Sequence, residues 1–120
     1  VVKNAESGKR YRVTWGRATK EFSAEDLERG VNLAAEFIDN PFSAPFKQVQ
    51  DAVQKQQAYE TTLVKSLLHT LPQFEQYAPD EKESLERIAG KLGAKDAELM
   101  RASRSAVVPV RHTIKLELAK

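Results

Sequence analysis

Two histidines and seven serines are the residues that could carry nucleophilic or acid–base chemistry in this chain. Hydrolysis through a serine needs that residue on a constrained turn, beside a histidine base that a carboxylate orients. No serine lies in a Gly-x-Ser-x-Gly or Gly-Asp-Ser motif. His69 falls near the end of a predicted helix and His112 at the start of a predicted strand, and neither has a second histidine at metal-ligand spacing. We therefore predict no catalytic residue, no metal site and no cofactor in these residues.

Basic residues near the N-terminus form the one pattern that could bind a ligand. They alternate with Tyr11 and Trp15, so they could offer phosphate contacts beside an aromatic stacking surface. The candidate ligand-binding residues for an anion are Arg10, Arg12, Arg17 and Lys20. Alternate residues of a strand point to opposite faces, which would separate the arginines from the aromatic rings and leave an ordinary charged surface. An anionic ligand is thus one candidate partner, and we do not expect nucleic acid to be one.

Composition places the chain among ordinary globular proteins. Its 120 residues are 41% hydrophobic and 30% charged, with no cysteine, which excludes disulfide scaffolds, collagen-like repeats and wholly disordered chains. No apolar run approaches the roughly 20 residues that a membrane span requires. We predict a single domain over residues 1–120 with no membrane span. The start at Val1 suggests a processed product or a piece of a longer protein.

The basic and aromatic residues near the N-terminus are predicted to lie on a sheet that the two ends of the chain form together. Tyr11, Val13 and Trp15 alternate with polar residues, and Gly16-Arg17 supplies a turn before a second strand, 18–22. Residues 113–118 alternate in the same way. Because an isolated hairpin is marginal in water, we expect this C-terminal strand to pair with the hairpin. Residues 1–3 are predicted to end another strand, followed by a turn at 6–9.

The middle of the chain carries helix signals. Ser23 and Asp26 have capping-box spacing and Gly30 is placed to end a short helix at 24–29. Ser43 is predicted to cap a long helix that stops before Pro72. Further helices are predicted at 80–92 and 94–105, separated by Gly93, so the helices lie at roughly 24–29, 43–70, 80–92 and 94–105. The predicted fold class is α+β, a small antiparallel sheet packed with three to four helices, one of them long.

A resemblance to a known family rests on one run of residues. The segment Phe22-Ser-Ala-Glu-Asp-Leu-Glu-Arg-Gly-Val-Asn-Leu-Ala34, with its preceding hairpin and the following Asn40-Pro-Phe-Ser-Ala-Pro-Phe46, resembles the region after the catalytic core of bacterial GDSL-type (SGNH) hydrolases. The closing Val110-Arg-His-Thr-Ile114 also resembles the terminal strand of that group. The Gly-Asp-Ser and Asp-x-x-His blocks of those enzymes lie upstream of this region and are absent here, so no catalytic residue is carried over.

The resemblance implies a non-catalytic C-terminal region of a lipase or acylhydrolase-like protein, which completes or covers the upstream hydrolase core of the same polypeptide. Export of that parent to the periplasm or medium of a bacterium is compatible with the family, and the sequence leaves its location open. Two alternatives from other classes remain. One is a free-standing module that binds an anionic polymer through the basic hairpin, and the other is a structural interaction domain.

Overall fold

The computed structural model describes residues 1–120 and shows a mixed α+β fold. The strands are β1 (Arg10–Trp15), β2 (Ala18–Ser23) and β3 (Ile114–Leu118). The helices are α1 (Ala24–Arg29), α2 (Leu33–Glu36), α3 (Ser43–Thr62), α4 (Leu71–Tyr77) and α5 (Lys82–Ser105). A π-helical segment, Leu63–Leu68, follows α3, and a 3-10 turn, Pro79–Glu81, precedes α5. The predicted fold class is confirmed, with two long helices, α3 and α5, in place of one.

Two compact units make up the chain. The first, here the sheet unit, comprises Val1–Pro45 and Pro109–Lys120, and the second, the helical unit, comprises Phe46–Val108. That the whole chain acts as one domain stays a prediction. No helix has the length and apolar character to cross a membrane.

The sheet unit contains the predicted three-stranded antiparallel sheet, in the order β2-β1-β3. The hairpin turn has two residues, and Gly16 adopts a φ of 65° at its first position, which is the position a type II′ turn reserves for glycine. Strand β3 pairs with the other edge of β1, with Trp15 opposite Ile114, Val13 opposite Leu116 and Tyr11 opposite Leu118. The predicted joining of the two chain ends in one sheet is therefore confirmed.

The core of the sheet unit lies on one face of this sheet. Val13, Trp15, Leu27 and Phe37 form the buried cluster, and partly buried side chains surround it: Val2, Tyr11, Ala18, Phe22, Val31 and Leu33. Helix α1 has the predicted bounds, because the Ser23 hydroxyl accepts the amide hydrogen of Asp26 at its start and Gly30, with φ 104°, ends it. Helix α1 thereby brings Leu27 to the core.

Residues 1–3 do not form the predicted strand. The Val2 amide donates instead to the carbonyl of Leu27 at 2.9 Å, a carbonyl in the last turn of α1 that has no partner within the helix. The predicted turn at 6–9 is present, since the Lys9 amide donates to the Glu6 carbonyl at 3.1 Å. Ser43 is also not a cap. It is the first residue of α3, and its hydroxyl accepts from the Asn40 amide and donates to the Ile38 carbonyl in the preceding loop.

The helical unit departs from prediction in two places. Gly93 does not separate two helices, because α5 is continuous from Lys82 to Ser105. Glycine inside a helix costs only about 1 kcal/mol relative to alanine, so one glycine does not by itself end a helix. Next to Gly93, the Leu92 carbonyl accepts a hydrogen bond from the Tyr59 hydroxyl of α3 at 2.9 Å. The predicted helix over 43–70 consists of α3 and the π-helical segment. Pro72 then lies in the first turn of α4, a helix that was not predicted.

Candidate functional site

The predicted anion-binding residues do not form one cluster. Arg10 and Arg12 lie together on the polar face of β1, and both pair with Glu21 of β2, at 3.5 and 3.3 Å. Arg12 also lies opposite Glu117 of β3 in the sheet. The two guanidinium groups are therefore flanked by carboxylates, which reduces the positive potential that this face offers to an anion.

Lys20 and Arg17 lie elsewhere. Lys20 is opposite Val13 in the sheet, so it belongs to the apolar face rather than to the face of the two arginines. Its Nζ binds the Glu36 carboxylate at 2.9 Å and lies 5.9 Å from the centroid of the Phe37 ring. Arg17 occupies the hairpin turn, next to Asp39 in a surface depression. Of the four predicted residues, the structure brings together only Arg10 and Arg12.

His112 belongs to an aromatic cluster that the sequence did not predict. The Trp15 indole N–H donates to Nδ1 of His112 at 3.1 Å, and the Phe42 ring lies edge-on with its centroid 4.8 Å from that of the imidazole. As Nδ1 accepts a hydrogen bond, the proton of the neutral ring belongs on Nε2. Nε2 is then a donor and cannot take a proton from a serine hydroxyl unless the tautomer changes. In this arrangement the imidazole positions the Trp15 ring.

Several serine side chains form hydrogen bonds within the structure. Ser23 caps α1 and also donates to the Asp26 carboxylate at 2.7 Å, Ser7 donates to Glu25 at 3.1 Å, and Ser103 donates to the Leu99 carbonyl within α5. His69 is exposed at the end of the π-helical segment. No group of three or more His, Asp or Glu side chains is placed to hold a metal ion.

Hydrogen bonds at the start of α1 perturb two carboxylates. The pKa of Asp26 is lowered, first by the Ser23 hydroxyl and then by Arg29, which also forms an ion pair with it. The pKa of Glu25 is lowered mainly by hydrogen bonds from its own backbone amide and from that of Gly8, since both stabilise the ionised form. Glu25 thus ties the 6–9 turn to α1, and Asp26 stabilises the first turn of that helix. Both carboxylates lie in the segment that carries the family resemblance.

A shallow apolar pocket of about 210 Å³ is present in the helical unit. Its floor consists of aliphatic side chains from the π-helical segment, α4 and α5: Leu68, Leu71, Pro72, Leu85 and Ala89. At its rim the Lys82 Nζ binds Glu75 at 2.9 Å, and this pair, with Glu86 nearby, raises the pKa of Lys82. The ion pair thus favours the charged form of the amine, beside a pocket that is lined mainly by aliphatic side chains.

The apolar face of β3 is the most distinctive surface of the sheet unit. Its side chains lie beside Tyr11, Val13 and Trp15 of β1 on the same face of the sheet. They nevertheless remain partly exposed: Ile114 by 45%, Leu116 by 39% and Leu118 by 53%. Val13 and Trp15 of the adjacent strand are only 3% and 7% exposed. The core face of the sheet therefore extends beyond the part that the residues of the sheet unit cover.

Comparison with models of protein families, with curated proteins and with solved structures found no match. The functional proposal therefore rests on the resemblance carried by the run from Phe22 to Ala34 and on the arrangement of residues within this chain. Its most distinctive feature is the half-exposed apolar face of β3.

Proposed function

We propose that this chain is the non-catalytic C-terminal region of a GDSL-type hydrolase, in which it completes or covers the catalytic core. The observation that carries the proposal is the half-exposed apolar face of β3. Side chains of this kind are normally buried, and each contributes roughly 1.5–3 kcal/mol when fully removed from water. Covering the exposed half of the three β3 side chains would therefore stabilise an assembly by on the order of 2–4 kcal/mol.

The local structure of the resembling segment supports the same function. The run from Phe22 to Ala34 folds as a capped helix, a tight glycine turn and a second short helix whose Asn32 side chain accepts from the Ala35 amide. Phe22, Leu27 and Leu33 from this run contribute to the core of the sheet unit. A segment used in this way holds the sheet unit together, which fits an accessory region attached to a core that carries the chemistry.

An esterase assay on two proteins tests the proposal. Residues 1–120 alone should not hydrolyse p-nitrophenyl acetate above background, because neither histidine is placed beside a serine with a carboxylate to orient it. A protein extended upstream of Val1 should contain Gly-Asp-Ser and Asp-x-x-His blocks and should show turnover. Turnover by the 120 residues alone that His112→Ala abolishes would refute the accessory function, and an upstream region without both blocks would refute the family assignment.

A second experiment tests the surface itself in the extended protein. Leu116→Ser should lower its thermal unfolding temperature by more than the same change lowers that of the 120-residue chain, because the leucine face would be buried only in the larger protein. Lys9→Ser, at an exposed position before β1 and outside β3, is the control and should change both proteins equally. An equal effect of Leu116→Ser in both proteins would show that the upstream core does not cover β3.

A further inference from the structure

The outer edge of β3 is unpaired and is distinct from the apolar face considered above. The sheet order β2-β1-β3 leaves β3 with a neighbour on one side only. An open strand edge presents backbone amides and carbonyls that can pair with another strand. The groups that point outward follow from the hydrogen bonds to β1.

Hydrogen-bonded and non-hydrogen-bonded pairs alternate along an antiparallel ladder. The Ala119 amide donates to the Arg10 carbonyl at 2.9 Å, so this pair is hydrogen-bonded. In the same register the pairs of Glu117 with Arg12 and of Lys115 with Thr14 are hydrogen-bonded too. The backbone groups that face outward are therefore those of the three apolar residues between them: Ile114, Leu116 and Leu118.

The sequence of β3 is complementary to itself when two copies run antiparallel. With Leu116 opposite Leu116 of a second copy, Ile114 lies opposite Leu118, and the outward-facing backbone groups of both strands meet as hydrogen-bonded pairs. Lys115 of each copy then lies opposite Glu117 of the other, in the non-hydrogen-bonded pairs where side chains approach most closely. One two-fold axis thus creates two cross-strand ion pairs and a continuous apolar row.

Neighbouring registers are penalised by the same two charges. A shift in one direction that keeps the outward groups paired places Lys115 opposite Lys115, and the shift in the other direction places Glu117 opposite Glu117. Like charges directly opposite in a sheet are destabilising, whereas opposite charges stabilise. The charge pattern therefore favours the register centred on Leu116 over both of its neighbours.

We propose that two copies of this chain associate through β3, antiparallel and centred on Leu116, into a six-stranded sheet. The interface is isologous, as expected for a two-fold dimer, because the same edge serves both copies. Association exchanges the ion pair within each strand, Lys115 with Glu117 at 2.7 Å, for two ion pairs between strands. The proposal concerns the strand edge and does not depend on the hydrolase assignment.

Charge-reversal variants in sedimentation velocity test this dimer. The 120-residue protein should show a weight-average mass that rises from 13.5 kDa toward twice that value between about 10 μM and about 1 mM. Lys115→Glu places two glutamates opposite each other at both symmetry-related positions, and Glu117→Lys places two lysines there. Each single variant should raise the dissociation constant roughly tenfold or more, since two attractive pairs become repulsive.

An equimolar mixture of the two variants is the decisive measurement. In the heterodimer each reversed residue faces an opposite charge again, so the mixture should regain the wild-type dissociation constant. That recovery also shows that the variants are folded, even though Glu117→Lys brings a lysine beside Arg12. Lys91→Glu, the same charge change at an exposed position of α5, is the matched control and should dimerise as wild type.

Three results would overturn the proposal. They are a wild-type chain that stays monomeric over the whole range, single variants that dimerise as tightly as wild type, and a mixture that stays monomeric. Each one removes a different step: the association, the contribution of the two charges, and the antiparallel register.

Discussion

Replacement of Phe37 by alanine is the perturbation whose effect the structure specifies best. Phe37 follows α2, and its ring is 1% exposed. The ring contacts Trp15 edge-on with centroids 6.0 Å apart and lies 6.4 Å from Phe22. Removing a buried phenylalanine side chain costs about 3–5 kcal/mol through lost transfer free energy and the cavity that remains. Small domains are stabilised by about 5–15 kcal/mol, so Phe37→Ala should remove a large share of the stability of the sheet unit.

The assay is urea unfolding followed by the fluorescence of Trp15. This is the only tryptophan in the chain and it contacts Phe37, so its signal reports on the sheet unit. Phe37→Ala should lower the free energy of unfolding by at least about 3 kcal/mol. Phe37→Leu keeps most of the apolar volume and should cost less, its loss reflecting mainly the aromatic contacts, which are worth about 0.5–1.5 kcal/mol.

The next residue in the chain provides the matched control. Ile38 is 88% exposed, so Ile38→Ala should change the free energy of unfolding by no more than about 0.5 kcal/mol. A loss below about 1 kcal/mol for Phe37→Ala, or equal losses at the two positions, would refute the placement of Phe37 at the centre of the core.

Three further predictions concern glycines, the helix cap and the basic hairpin. Gly30→Ala should destabilise the sheet unit, because its φ is 104° and the new Cβ would lie 3.1 Å from a Val1 methyl carbon. Gly90→Ala, inside α5 with open space around it, should instead stabilise the protein by about 0.5–1 kcal/mol. Thermal unfolding of both variants distinguishes the two signs. Ser23→Ala should cost about 0.5–2 kcal/mol in thermal or urea unfolding and raise the pKa of Asp26 in an NMR titration. Because folding lowers the pKa of Asp26, its ionised carboxylate stabilises the folded state above the ordinary pKa of 3.8, and this contribution is lost as the pH falls below that value. The free energy of unfolding of Ser23→Ala should therefore depend less on pH in this range than that of the wild type. Heparin should bind weakly or not at all near 0.15 M salt, and micromolar binding there that is lost on joint substitution of Arg10, Arg12, Arg17 and Lys20 would favour an anion-binding function.

Local signals in the sequence determined most of the sheet unit. The two-residue period of β1 and β3, the glycine at the hairpin turn and the Ser23–Asp26 cap each act over a few residues, so they could be recognised without the fold. The pairing of β3 with β1 also followed from sequence, because an apolar alternating strand needs an apolar partner and few were available.

Tertiary structure decided which side chains the chain brings together. Trp15 and His112 are 97 positions apart, and their hydrogen bond depends on the register of β1 with β3 and on the path of the loop before β3. Lys20 was grouped with the arginines from its charge, yet the two-residue turn places it on the face of Val13. The pairing of β1 with β2 likewise brings Glu21 into ion pairs with both Arg10 and Arg12, which the sequence pattern did not predict.

The continuity of α5 shows the physical reason for the difference. Gly93 weakens a helix locally by about 1 kcal/mol, and that local term is all that a sequence pattern expresses. Contacts between residues distant in the chain, such as the hydrogen bond from Tyr59 to the Leu92 carbonyl and the packing of α5 on α4, also act on this helix and are not visible in the local pattern. Turns, caps and strand alternation depend on a few neighbouring residues, so the sequence pattern predicts them. Long-range packing instead determines the continuity of α5, the central position of Phe37 and the exposure of the apolar face of β3.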